Sequence, residues 1–187
     1  MTSPHRTLAE KVVALHHALD DAALAHAFGG ALALGWCTRQ PRGTADIDVN
    51  IFVPTTAVSK VRAALPKAVT WTATDSRQLK RDGQTRLYWD TTPVDVFLNT
   101  TDFHNAATER VSLEPFAGEM LPFLSCFDLA VFKAFFDRRR DWADLEDMLA
   151  AGSIDVDAAV DTLATYLGPD DERITKLQEL AREGDST

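Results

Sequence analysis

The sequence predicts an α/β (α+β) fold: a front half in which helices flank a mixed β-sheet, followed by an all-helical C-terminal lobe. Three stretches carry the prediction. "ADIDVNIFV" alternates apolar and polar residues with the period of a half-buried strand. "TRLYWDTTPVDVFLN" holds two β-rich runs on either side of a turn. From Ser125 onward the period becomes helical. That change separates a domain over residues 1–122 from a lobe over residues 123–187 packed on it.

The first element is a helix. In "TLAEKVVALHHALDDAALAHAF", Leu8, Val12, Leu15 and Leu19 have amphipathic spacing and Thr7 is placed to cap them. His16 and His17 are adjacent, so they cannot share a helix face as paired metal ligands, and they read as surface residues. Gly29 and Gly30 lead into a small-residue segment, "ALALGW", and then a polar loop, "CTRQPRGT", turned by Pro41 and Gly43. In the strand that follows, Ile47, Val49, Ile51 and Val53 share one face and Asp46, Asp48 and Asn50 the other. "TTAVSKVRAALPKA" reads as a helix ended near Pro66, and "VTWTA" as a short strand. The hairpin turns at Asp90 to Pro93, and its second strand sets Val94, Val96 and Leu98 against Asp95 and Phe97. The helical lobe opens on Ser125 and Asp128 as a capping box and runs to a stop at Gly152; "DVDAAVDTLATYLG" and "DERITKLQELAREG" follow.

Composition narrows the functions open to such a fold. With 187 residues, 45% of them hydrophobic and 25% charged, the chain is an ordinary globular protein large enough for a substantial core. No apolar run reaches the roughly 18 residues of a membrane span. "MTSPHRTLAEKVV" lacks the apolar core of a signal peptide, so a cytoplasmic protein with no membrane partner is expected. Cys37 and Cys126 form no CxxC or Cys/His cluster and are expected to be reduced structural thiols, neither a zinc site nor a disulfide. A net charge of −9 argues against a general nucleic-acid coat, although a local cluster such as Lys80, Arg81, Arg86 and Arg138 to Arg140 would still suit RNA.

The acidic pair inside the alternating strand needs a chemical explanation, because a carboxylate is costly to bury without a positive partner. Asp46 and Asp48 project from one side about 7 Å apart, and Asp95 lies on a separate apolar strand that can sit beside theirs. Three acids so placed repel one another unless a hard dication joins them, typically magnesium bound together with substrate phosphates. Two such ions hold the attacking and leaving oxygens of a phosphoryl displacement. Taken alone, the short string "DID" is explained as well by a solvated strand end. Gly29 and Gly30 let backbone N–H groups approach a phosphate, but turns use such a pair as readily. Lys133 in "LAVFKAFF" leaves an apolar helix surface, and its partner is either Asp137 one turn on or the tail of a triphosphate. "RRRDWADLEDM" reads mainly as a solvated face with pairs such as Arg140 with Asp144, one aspartate being available to fix Lys133.

Taken together, "GGALAL", "RGTADIDVNIFV" and "K…R..RDWADLEDML" resemble the nucleotidyltransferase superfamily that includes DNA polymerase β, and within it the AbiEii/MenT-like toxin branch. The resemblance covers Gly29 to Asp48, Asp95, and Lys133 to Leu145. It implies a polymerase-β-like fold around a five-stranded mixed sheet, an NTP as substrate, and Mg2+ as cofactor, in two ions. It also implies that Gly29 and Gly30 cradle the nucleotide phosphates and that Asp46 and Asp48 bind Mg2+. Asp95 becomes the third carboxylate, a metal ligand or the acceptor of the attacking hydroxyl's proton. Lys133 neutralises the triphosphate with Asp141 or Asp144 positioning it, and Arg42 meets substrate or phosphate. The usual Gly-Ser is Gly-Gly here, which removes a hydroxyl, and the loop before Asp46 is longer than in minimal versions. Neither change removes a metal ligand.

Three functions follow. The first is transfer of a nucleoside monophosphate from an NTP to the 3′ end of tRNA by the toxin of a toxin-antitoxin pair, with a cognate antitoxin as protein partner. The second is modification of an antibiotic, an aminoglycoside or lincosamide, whose positive charge suits an acidic protein. The third, a non-catalytic binding module, would be marked by loss of carboxylates, and all three are retained.

Overall fold

The computed structural model describes residues 6–184. Met1 to His5, the start of the stretch read for a leader, and the last three residues of the expected lobe lie outside the described residues. The chain forms two compact units, Met1–Leu32 with Gly43–Leu124, and Ala33–Arg42 with Ser125–Thr187.

In chain order the elements begin with α1 (Leu8–Asp21), β1 (His26–Phe28), α2 (Gly30–Thr38) and β2 (Ile47–Pro54). Next come α3 (Val58–Ala64), β3 (Val69–Thr70), α4 (Ala73–Asp82), β4 (Gln84–Trp89) and β5 (Thr92–Asn99). They are followed by α5 (Asp102–Ala107), β6 (Ser112–Phe116) and β7 (Glu119–Phe123). The second unit contains α6 (Cys126–Phe136), α7 (Arg139–Ala150), α8 (Val156–Leu167) and α9 (Glu172–Gly184). Among the described residues no helix is long and apolar enough to cross a membrane.

All strands belong to one mixed sheet in the first unit, ordered β3-β4-β5-β2-β1-β7-β6. The central pairing, β2 with β5, is parallel, whereas β4 with β5 and β1 with β2 are antiparallel. The apolar residues of the alternating strands face the core: Ile47, Val49, Ile51, Val94 and Val96 are fully buried, and Val12, Leu15 and Leu19 of α1 are buried with them. Among the described residues the sheet has seven strands where five were expected. The additional hairpin, β6 with β7, escaped because each strand carries a proline, Pro115 or Pro122, and exposes a large apolar side chain, Leu113 or Met120.

Other differences have local causes. Helix α4 was not expected, since only Leu79 of its residues is buried and it lacks an apolar stripe. Its ends are nonetheless marked, by a Thr72–Asp75 capping box and by Gly83 at φ 69°. The helix expected to run from Ser125 to Gly152 is two helices, broken at Asp137, which adopts the left-handed conformation at φ 55°. Asp137 accepts a hydrogen bond from Trp142 Nε1 at 2.6 Å, which ties the corner to α7. His16 is half-buried and not a surface residue: its Nδ1 lies 3.0 Å from Nε2 of His26. His26 Nδ1 lies 2.8 Å from the Leu24 carbonyl, which only accepts, so the neutral His26 donates there and receives from His16.

Cys37 and Cys126 form a disulfide with Cα atoms 5.4 Å apart, which corrects the expectation of two reduced thiols. At a sequence separation of 89, no local pattern announces the pair. The fold brings the end of α2 against the start of α6 within the second unit.

Candidate active site

The first unit builds an acidic face on the sheet. Position 48 of β2 stands directly beside position 95 of β5, and position 95 beside position 86 of β4, so Asp48, Asp95 and Arg86 form one row on the polar side. Asp46 precedes β2 by one residue on the same face. Its carboxylate is fixed by the Thr44 hydroxyl, which donates to Oδ1 at 2.5 Å, while its backbone N–H donates to that hydroxyl at 3.3 Å.

The glycine pair explains why Asp48 lies where it does. Gly29 donates its N–H to the Asp48 carbonyl at 3.0 Å, which ties the exit of β1 to β2. Gly30, the first residue of α2, has φ +52°, and a Cβ built there would fall 2.5 Å from Asp48 Cγ and 3.1 Å from its Cβ. The Asp48 carboxylate thus rests against the backbone at the helix N-terminus, where the helix dipole favours an anion, in space that only glycine leaves open.

Arg86 supplies the positive partner demanded by the acids. Its Nε and Nη2 donate to the two Asp95 oxygens at 2.7 and 2.6 Å, a bidentate fork, and Nη2 lies 3.9 Å from Asp46 Oδ2. The hydrogen bonds it donates to Asp95, then the charge of that carboxylate, raise the guanidinium's pKa above the usual arginine value. Sequence reasoning placed Arg86 only in a basic cluster. A signal for its role existed: in a hairpin pairing Trp89 with Thr92, position 86 falls opposite position 95.

The donor chemistry of Asp46, Asp48 and Asp95, carboxylate oxygens on one face, fits a hard dication of the magnesium class. Among the described residues, however, no three His, Cys, Asp or Glu side chains already converge to metal-binding spacing. The Arg86 guanidinium is a cation paired with Asp95 and near Asp46 on this face.

The second unit holds the other expected residues. Lys133 of α6 is buried at 7% exposure, and its Nζ donates to Asp144 Oδ2 of α7 at 2.6 Å, with Asp141 Oδ1 at 3.8 Å. Asp144, not Asp137, is therefore its first partner, and Asp141 stands farther off. Asp144 also accepts from Arg42 Nη1, in place of the expected Arg140 pairing. Asp141 accepts from Arg138 Nε at 2.7 Å. Three cations, Arg42, Lys133 and Arg138, thus meet two buried carboxylates.

No protein-family model and no curated protein matches the chain. Solved structures do match. One is ANT(2'')-Ia in complex with adenylyl-2''-tobramycin, with a TM-score of 0.55 and 14% identity over 97% of this chain and 98% of that one. A solution structure of the antibiotic-resistance factor ANT(2'')-Ia gives 0.54, also at 14% identity, over 95% and 92%. An antigenic nucleotidyltransferase-like protein from Paracoccidioides brasiliensis gives 0.49, again at 14% identity, over 94% and 92%. The chain has the nucleotidyltransferase fold.

Proposed function

We propose that the protein moves a nucleoside monophosphate from an NTP to an acceptor hydroxyl and releases pyrophosphate. The observation that carries this reading is the acidic row itself: Asp48 pressed against Gly30, Asp95 beside it in register, and Asp46 held by Thr44 on the same face. Asp46, Asp48 and Asp95 would hold Mg2+, which when bound neutralises charge on the transferring phosphoryl group and on the attacking and leaving oxygens. Within that scheme Asp95 is the third ligand or the acceptor of the hydroxyl proton. Gly30 and the first turn of α2 contribute backbone N–H groups toward phosphate, and Gly29 holds the strand exit beneath them. Lys133 is assigned to the polyphosphate, Asp144 and Asp141 to positioning its ammonium, and Arg42 to substrate or phosphate.

For the acceptor we infer a small polycationic antibiotic of the aminoglycoside class. Similarity to ANT(2'')-Ia across nearly the full length of both chains supports this, as does the net charge of −9. A second reading, the tRNA 3′ end as acceptor for a toxin with a cognate antitoxin, is favoured by the residue pattern from Lys133 to Leu145, with its Lys133–Asp144 pair. NTP and Mg2+ are supplied in the cytoplasm, the compartment we assign.

The test is incubation with each radiolabelled NTP and Mg2+, adding an aminoglycoside panel in one arm and total tRNA in the other, beside an Asp46→Ala control. Label on an aminoglycoside with the intact protein alone supports the first acceptor, and label on tRNA alone replaces it with the second. Absence of pyrophosphate release in every arm would sink the enzymatic reading.

A further inference from the structure

We propose that Arg86 is a built-in counter-ion that competes with the divalent metal for Asp95 and Asp46, and so sets the metal concentration at which the acidic face becomes loaded. The proposal rests on the reading of Asp46, Asp48 and Asp95 as metal ligands.

Three observations carry it. Arg86 satisfies both oxygens of Asp95 through its fork, at 2.7 and 2.6 Å, so those oxygens already have a cationic partner. The same guanidinium nitrogen that holds Asp95 Oδ2 also lies 3.9 Å from Asp46 Oδ2, so one side chain serves two of the three acids. Its own side chain is 51% exposed while that of Asp95 is 17% exposed, so the guanidinium covers the carboxylate from the solvent side and has room to swing away.

A dication needs oxygens that face a common point, and the fork takes up one acceptor site on each Asp95 oxygen while its positive charge repels an incoming dication. Metal binding therefore favours opening of the fork, and the weakened pair subtracts from the metal's binding free energy. Exposed, the released guanidinium regains water. In the absence of metal the same fork prevents mutual repulsion of the acids.

This role differs in sign from a scaffolding one. Were Arg86 to orient Asp95 for the metal, its removal would weaken metal binding; as a competitor, its removal strengthens it. The experiment is Mn2+ binding to the purified protein without nucleotide, followed by electron paramagnetic resonance of the free ion, for wild type, Arg86→Gln and Arg86→Lys. Thermal unfolding of the same samples is recorded with and without Mn2+.

Arg86→Gln is expected to bind Mn2+ roughly fivefold more tightly, the factor equivalent to one exposed ion pair. Arg86→Lys, which keeps the charge and loses the fork, is expected between the two. Without metal, Arg86→Gln should melt lower than wild type, and Mn2+ should restore more of its stability than it adds to wild type. Unchanged or weaker Mn2+ binding by Arg86→Gln, with wild type binding normally, overturns the competition and leaves the metal-ligand reading standing. No Mn2+ bound by any of the three proteins overturns that reading and the competition with it.

Discussion

Replacing Gly30 by alanine separates the two jobs that glycine performs at the start of α2. At φ +52° an alanine sits in the left-handed region, at a cost of about 1–2 kcal/mol. Roughly 0.4–1 kcal/mol of that is offset by the stiffer unfolded chain. The new methyl also meets Asp48, 2.5 Å from Cγ and 3.1 Å from Cβ, so the carboxylate has to leave its place. Moving it off its rotamer adds about 0.5–1.5 kcal/mol. Gly30→Ala should therefore lose about 0.5–3 kcal/mol, a drop in Tm of about 1–12 °C for a chain of this size.

Gly29→Ala is the control. Its methyl would meet Asn50 Nδ2 and Leu124 Cδ1 at 3.2 Å, contacts that relax by a few tenths of an ångström, and Asp48 Cβ only at 3.8 Å. Its loss should stay below about 1 kcal/mol. The rate of pyrophosphate release distinguishes the variants further, because a carboxylate misplaced by about 1 Å costs on the order of a hundredfold. Calorimetry and a pyrophosphate assay at saturating NTP read both effects. Equal losses for the two variants in Tm and in rate would refute the placement of Asp48 against Gly30.

Reduction of the Cys37–Cys126 bridge, or a Cys37→Ser and Cys126→Ser double substitution, should cost up to about 4–5 kcal/mol, the closure entropy of a loop of this length. Denaturant titration with and without a dithiol checks this, and a count of two titratable thiols in untreated folded protein would contradict the bridge. Lys133→Met leaves buried Asp144 with Arg42 as its counter-ion, so the loss should lie near the lower end of a broken buried pair, about 3 kcal/mol. Adding Asp144→Leu should recover part of the stability and none of the activity in urea-melt and pyrophosphate assays. Burial, ahead of the nearby His16 charge, lowers the His26 pKa, against the Leu24 carbonyl and Asp20, which raise it. The unfolded chain then takes up a proton first as pH falls, so stability should decline below about pH 6.5 and level off below the folded pKa. A His26→Gln variant should lose that slope in melts recorded from pH 7.5 to 5.

The acidic face was legible because a strand's two-residue period is strict: once Ile47, Val49 and Ile51 are assigned inward, Asp46 and Asp48 must share the other side. The Asp95 strand followed from the same rule. What the period does not contain is the partner of each polar residue. Arg86 needed the hairpin register as well as the strands, and a two-residue turn at Asp90 and Thr91 fixes that register where a turn drawn from Asp90 to Pro93 does not. Lys133 was recognised as anomalous on an apolar face, yet its pairing with Asp144 depends on a corner at Asp137 that no glycine or proline marks. Helix α4 shows the complementary failure, with clear end signals and too few apolar residues between them. The disulfide joins residues whose approach is a property of the folded chain alone.

The corner at Asp137 carries a geometric consequence. In an uninterrupted helix positions 133 and 144 would lie at almost the same azimuth but about 16 Å apart along the axis. Folding the rod back at one left-handed residue turns that span into a 2.6 Å contact, so the number of residues at the bend acts as a ruler for the ammonium. Inserting or deleting a single residue between Phe136 and Arg139 would change the path of the bend and displace Asp144 from the ammonium, although neither charged partner had been touched.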